Sequence, residues 1–173
     1  MGEHHKGDRG LVRCAIVTVS DTRSAETDSS GAEIRRRLED AGHVVAEYSI
    51  VPDDPQRVRA LVADLCRRTD VDAVLVNGGT GIAPRDNTYE AVAALLDKRV
   101  DGFGELFRML SFAEVGAAAM ISRAVAGLVG DTALFSMPGS TAACRLAMEK
   151  LIVPQLGHVV ALARGPQGGR QRS

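Results

Sequence analysis

The segment Asn77-Gly78-Gly79-Thr80-Gly81-Ile82-Ala83-Pro84-Arg85-Asp86 sets three glycines and an acid between an apolar run, residues 71–76, and a stretch with helical spacing. Glycines let the main chain approach a ligand closely, and the start of a helix presents unpaired N–H groups to an anion. The loop therefore reads as a phosphate cradle. It is not the dinucleotide fingerprint, which needs G-x-G-x-x-G directly before a helix. Nor is it the Walker loop, which needs a lysine that this segment lacks. Asp86 adds a further hint: a carboxylate beside a phosphate is unfavourable unless a cation sits between them, which points to Mg²⁺. The competing reading is a plain strand-to-helix turn, with Asn87 as N-cap and Glu90 completing a capping box. The cap and the cradle are compatible.

Three more turns carry groups of the same kind. Ser20-Asp21-Thr22-Arg23 follows residues 12–19, Pro52-Asp53-Asp54 follows residues 44–51, and Pro138-Gly139-Ser140 follows residues 132–136. Each alone has an ordinary explanation, as a turn-forming Asp or a capping Ser. If the preceding runs are strands of one parallel sheet, however, their exits share an edge, where open α/β sheets bind ligands. Bare backbone for anions and carboxylates for a hard cation together describe a Mg-nucleotide site. No Ser-His-Asp or Cys-His set stands out, and neither His nor Cys is paired for a transition metal. Phosphoryl or nucleotidyl transfer needs none of these, because it relies on positioning and charge neutralisation. Spacing does not name the nucleophile.

The elements that must position these turns follow from periodicity. Residues 12–19 form a β-branched run, Ile34, Leu38 and Ala41 recur at helical spacing before Gly42, and residues 44–51 alternate as a strand. Pro55 can start a helix carried by Val58, Leu61, Val62 and Leu65. After the strand at 71–76 and its loop comes a helix through Val92, Leu95 and Leu96, then a stripe of Phe103, Leu106, Phe107 and Leu110. Residues 125–129 and 132–136 flank Gly130-Asp131, a hairpin signal, and Cys144, Ala147, Met148, Leu151 and Ile152 mark a last helix. This order predicts an α/β three-layer sandwich: a mostly parallel sheet, helices on both faces and a small antiparallel hairpin. Residues 11–164 form one domain, and the polar segments 1–10 and 165–173, with His4 and His5, read as disordered tails. Met109 and Phe112 widen the apolar stripe beyond one core contact, so a subunit partner is expected to cover it.

Composition narrows the class. With 45% hydrophobic and 25% charged residues, the 173-residue chain is an ordinary soluble domain. A net charge of -1 and 3% aromatic residues offer nucleic acid neither a basic field nor stacking surfaces. Cys14, Cys66 and Cys144 make an odd set without C-x-x-C, which argues against a disulfide framework or zinc and for a reducing cytoplasm. No signal-like apolar segment opens the chain, and no run approaches the roughly 18 apolar residues of a membrane span.

Five motifs in order carry a family resemblance: Ala15-Ile16-Val17-Thr18-Val19-Ser20-Asp21-Thr22-Arg23; Gly78-Gly79-Thr80-Gly81 with Arg85-Asp86; Gly102-Phe103-Gly104-Glu105-Leu106-Phe107-Arg108-Met109-Leu110-Ser111-Phe112; Ser122-Arg123-Ala124-Val125-Ala126-Gly127; and Met137-Pro138-Gly139-Ser140. Together they resemble the MoaB/MogA family of molybdenum-cofactor biosynthesis proteins, the MoaB branch most closely, over residues 12–156. The resemblance implies the family's molybdopterin-binding fold, homotrimers or hexamers of paired trimers, and a downstream molybdate-insertion protein as partner. It also implies Mg²⁺-dependent adenylyl transfer from ATP to molybdopterin, giving adenylyl-molybdopterin and pyrophosphate. By position, Asp53 and Asp86 are the implied catalytic and metal-binding acids. Gly78, Gly79, Thr80, Gly81, Arg85, Pro138, Gly139 and Ser140 would hold substrates, with Ser20 and Asp21 lining the crevice. Glu105 and Ser111 join the binding set by motif position, and like Ser122 and Arg123 they have no assigned role. Tyr89 and Asp101 stand where prolines are usual, and Asn77 replaces a threonine. A non-catalytic molybdopterin-binding scaffold is the rival, and the retained Asp53, Arg85 and Asp86 favour the enzyme. A flavodoxin-like flavin binder is disfavoured by the lack of Trp and the scarcity of aromatic rings to cover the flavin.

Overall fold

Successive residues of a strand point to opposite faces, so a strand covered on both sides is apolar throughout. In the computed structural model, which describes residues 10–166, β1 (Arg13–Val19) is followed by β2 (Val44–Val51) and β3 (Ala73–Asn77). Cys14 and Ile16 with Ala73 and Leu75 enter one core, while Ala15, Val17 and Val19 with Val74 and Val76 enter a second. The first core is covered by α1 (Ser29–Asp40), α4 (Asp101–Val115), α5 (Thr141–Ala147) and α6 (Val153–Arg164), through residues such as Ile34, Phe107 and Leu156. The second is covered by α2 (Pro55–Arg67) and α3 (Thr88–Ala93), through Val58, Val62 and Val92. This is the expected three-layer sandwich.

Short strands β4 (Lys98–Arg99), β5 (Val125–Val129) and β6 (Thr132–Met137) complete a six-stranded sheet of order β2-β1-β3-β6-β5-β4. β2, β1, β3 and β6 run parallel, whereas β5 is antiparallel to both β6 and β4. The hairpin turns at Gly130, whose φ of 55° suits glycine. From β1 the chain crosses to β2 on one side and then to β3 on the other, so the order reverses beside β1. A crevice opens there, at the carboxyl ends of β1 and β3.

The elements differ from the expectation at α3 and β4. α3 has six residues, which leaves Leu95 and Leu96 beyond its end, and β4 is an added strand that no periodicity marks because it has only two residues, both exposed. The expectation that no segment has the character of a membrane span also changes. α5, a π-helical segment Met148–Ile152 and α6 make one helical run, Thr141–Arg164, long and apolar enough by length and composition to cross a membrane. One face of it packs on the sheet: Cys144, Ala147, Met148, Ile152, Leu156 and Val160 are buried in the first core, while Leu162 is exposed. Charged Arg145, Glu149 and Lys150 interrupt the apolar run, so no unbroken stretch marks it in the sequence. The end of that helix is tied down by Arg164, which shares buried Asp72 with Arg13 of β1. Burial alone would push the Asp72 carboxyl up, but hydrogen bonds from Arg13 and the charge of Arg164 hold it below its ordinary value. The readings of residues 1–9 and 167–173 as tails, and of His4 and His5, lie outside the described residues.

Candidate functional site

Three strand exits meet at a cavity of about 580 Å³ on the carboxyl edge of the sheet. Of the residues singled out in the sequence, Ser20, the run Gly78, Gly79, Thr80 and Gly81, Asp86, Pro138, Gly139 and Ser140 line it. The loops after β3 and β6 touch: a β-carbon on Gly139 would lie 2.9 Å from the Gly78 Cα, and the Gly78 N–H donates to Met137 O at 3.1 Å. Close backbone approach is thus what both glycines permit.

The glycine loop divides its polar groups by type. The N–H groups of Gly79, Thr80, Gly81 and Ile82 make no hydrogen bond within the described residues. The carbonyls of Thr80, Gly81 and Asp86, by contrast, accept from Arg123 at 2.9, 2.6 and 3.1 Å. Successive amides left unbonded beside a cavity form an anion-binding concavity. The helix behind them contributes less than expected, since α3 is under two turns long. The capping box does not form either. Asn87 makes no side-chain cap and donates to Pro84 O instead, while Glu90 is drawn away by Arg123.

Three acids lie around this loop, and only Asp86 lines the cavity. Asp86 folds back, its Oδ2 accepting from the Ala83 N–H at 3.0 Å and standing 2.5 Å from where a Gly81 β-carbon would be. Asp53 lies behind Gly79 rather than on the cavity wall. Its N–H donates to Asp21 Oδ1 at 3.0 Å and its Oδ1 accepts from the Thr88 hydroxyl at 3.5 Å. Asp21 in turn pairs with Arg85, so neither of these two enters the cavity wall. Burial first, then the charges of Asp86 and Asp21, push the Asp53 carboxyl above its ordinary value, and Arg85 offsets only part of this. A divalent cation would relieve that repulsion. Among the described residues no group of three or more His, Cys, Asp or Glu is set to hold a metal. Two carboxylates with phosphate and water completing the sphere is the way Mg²⁺ is usually held, so Asp53 and Asp86 fit it.

Two hydroxyls also serve the local fold. Ser20 Oγ accepts from the N–H groups of Thr22 and Arg23 at 3.2 and 3.1 Å, and Ser140 Oγ caps α5 through the Ala143 N–H at 3.1 Å. Glu105 and Ser111 do not join the cavity. Ser111 is four residues beyond Phe107, itself four beyond Phe103, so it shares their inward face and is buried. Glu105 projects elsewhere, lining a separate cavity of about 190 Å³ with Tyr89, Arg99 and Arg108. The structure adds Arg23, whose guanidinium-bearing side chain lines the strand-exit cavity. It donates to Gly139 O at 3.0 Å and contacts Ser30 and, at 3.5 Å, the buried Asp28. Its presence in the first motif gives no sign of this, because Gly139 is 116 residues away.

Gly79 has a φ of 63°, and a β-carbon there would overlap Thr88 Oγ1 and come within 3.1 Å of Asp53 Oδ1. Gly79→Val is therefore expected to cost about 1–3 kcal/mol in strain and to distort the cradle. Chemical denaturation reads the first effect and calorimetric titration with Mg-ATP the second. Unchanged affinity in the folded variant would remove the cradle assignment.

Residues 15–158 match the family "Probable molybdopterin binding domain". The chain is 55% identical over 158 residues to Molybdenum cofactor biosynthesis protein B of Bacillus cereus, a match that spans 91% of this chain and 94% of the relative. The chain belongs to the MoaB/MogA molybdopterin-binding family. A crystal structure of a Molybdenum cofactor biosynthesis protein B superposes on this family member with a TM-score of 0.88 at 53% identity, covering 91% of this chain and 98% of the other. The tungsten cofactor synthesizing protein MoaB from Pyrococcus furiosus gives 0.80 at 34% identity, covering 90% and 98%. Asn77, Asp101 and Tyr89, read in the sequence as departures from the resemblance, have local partners in this MoaB/MogA family member. The Asn77 amide donates to Thr18 Oγ1 at 2.9 Å, Asp101 pairs with Arg99, and the Tyr89 ring lies under Arg123.

Proposed function

We propose that the chain acts in molybdenum cofactor biosynthesis as an adenylyltransferase that moves AMP from ATP to molybdopterin. The single observation that carries this reading is the glycine loop, which sets four unbonded amides beside the mutually repelling Asp53 and Asp86. The names of the relatives support the pathway, and the loop and acids support the chemistry. Loop amides would bind the phosphates and fix their orientation, and Asp53 and Asp86 would hold Mg²⁺ on them. Bound Mg²⁺ would neutralise charge on the transferring group. A molybdopterin oxygen would form its bond to the α-phosphorus as the bond from that phosphorus to the bridging oxygen breaks, and pyrophosphate would leave with the electron pair. Arg23, pinned to Gly139, adds fixed positive charge to the same cavity. The test is product analysis after mixing protein, ATP, Mg²⁺ and molybdopterin. Equal amounts of adenylyl-molybdopterin and pyrophosphate are expected, whereas molybdopterin binding without either product would mark a scaffold. The three cysteines, Cys14, Cys66 and Cys144, are buried, which is consistent with a reducing cytoplasm.

Threefold assembly belongs to the same reading. Leu106, Met109, Phe112 and Val115 on α4 are exposed, and Met120 just beyond is 81% exposed. Monomers seldom leave so continuous an apolar face in water, and a symmetric copy would cover it. Light scattering at micromolar concentration is expected to give the mass of a trimer or hexamer. A monomer mass would overturn the assignment.

A further inference from the structure

We propose that Arg123 is the positioning residue of the glycine loop, a guanidinium clamp that holds the phosphate cradle open from behind. The inference rests on the reading of that loop as a cradle. Between β3 and α3, residues 78–87 contain no helix or strand, and few bonds within the loop define its shape. Arg123 supplies what the loop lacks. From the segment between the 3₁₀ turn Gly116–Ile121 and β5, its Nε donates to Thr80 O at 2.9 Å and its Nη2 to Gly81 O at 2.6 Å and Asp86 O at 3.1 Å. One planar group thus ties both ends of the curve that carries the unbonded amides and Asp86.

The clamp is itself held on two sides. Glu90 pairs with its outer edge, and the Tyr89 ring lies 4.8 Å from the guanidinium carbon, a cation–π distance. Arg99 fixes the Tyr89 hydroxyl at 3.2 Å. Tyr89 is thereby tied to both arginines. Arg123 does not line the cavity, so it acts through the loop and not on the ligand. Turning the three carbonyls towards Arg123 leaves the intervening amides for an anion. Without the fork, the loop would have to order itself on binding, and affinity would fall by that entropy. A lysine ammonium is a point donor and cannot span three carbonyls in one plane.

The experiment compares Arg123→Gln, Arg123→Lys and Tyr89→Leu with the wild-type assembly by amide hydrogen exchange and by calorimetric titration with Mg-ATP. The informative amides are Asp86, bonded to Ala83 O, and Thr88, bonded to Gly79 O, with Leu75 in β3 as the internal reference. Arg123→Gln is expected to speed exchange at Asp86 and Thr88 by about tenfold, to leave Leu75 unchanged and to weaken Mg-ATP by a similar factor. Arg123→Lys falls between the two, and Tyr89→Leu shifts both readouts in the same direction by less. If Arg123→Gln does not fold, the other two variants decide on the same readouts. Unchanged exchange at Asp86 and Thr88 in folded variants overturns the clamp. Faster exchange with undiminished Mg-ATP affinity upholds the clamp and overturns the cradle.

Discussion

Asp86→Asn is expected to fold with near wild-type stability and to lose adenylyl transfer by about 100-fold or more, the scale seen when one electrostatic contact at a reacting group is removed. The asparagine Oδ1 can still accept the Ala83 N–H, the bond that closes the loop in the native protein at 3.0 Å. What it loses is the negative charge, so its neutral amide oxygen holds Mg²⁺ far more weakly than the carboxylate does. A carboxylate that served only to shape the turn would be replaced at little cost, since Asn is as good a turn former as Asp. Steady-state rates of adenylyl-molybdopterin formation beside a urea denaturation curve separate the cases. A folded variant turning over at close to the native rate would take Asp86 out of the mechanism and favour the scaffold reading.

Asp53→Asn is expected to remove activity to a similar degree while making the folded chain slightly more stable at neutral pH. Burial and the charges of Asp86 and Asp21 raise the Asp53 carboxyl above its ordinary value. For a group raised on folding, the favourable contribution is fully present below the unfolded value and is lost as pH rises through the folded one. At neutral pH the ionised Asp53 therefore opposes folding, and Asn relieves the fold while still accepting from the Thr88 hydroxyl. The stability gap between variant and native protein should close in acid, where Asp53 is protonated in both states. The same shift means that Mg-dependent ATP binding weakens, as pH falls, at a higher pH than an ordinary aspartate would cause. Denaturation midpoints at neutral and acid pH check the first claim, and titrations across the same range check the second. A variant less stable than the native protein at neutral pH would show that Asp53 is a structural acid.

The glycine loop and the acids after the strands were legible in the sequence because they are local: each follows an apolar run whose period marks a strand end. Arg123 was visible only as a motif position, since its partners at Thr80, Gly81 and Asp86 lie 43, 42 and 37 residues earlier. Glu90 shows the converse error. Three residues after Asn87 it has the spacing of a capping box, yet a guanidinium from another element competes for it with a full charge and wins over a neutral backbone N–H. Glu105 and Ser111 came from motif likeness, and helical geometry sends them away from the cavity.

What the sequence determined by itself was the kind and order of elements, because periodicity and turn chemistry act over a few residues. β1 and β3 are apolar at every position but Arg13, Thr18 and Asn77, and strands of that composition demand a sheet covered on both faces. What only the tertiary structure decided was which side chains meet. Asp53 reaches Gly79 and Asp21, Arg23 reaches Gly139, and Arg123 grips the loop because a parallel sheet brings exits far apart in sequence to one edge. The raised Asp53 carboxyl follows from that meeting as well, through burial first and then the charges of Asp86 and Asp21, neither of which spacing along the chain reports.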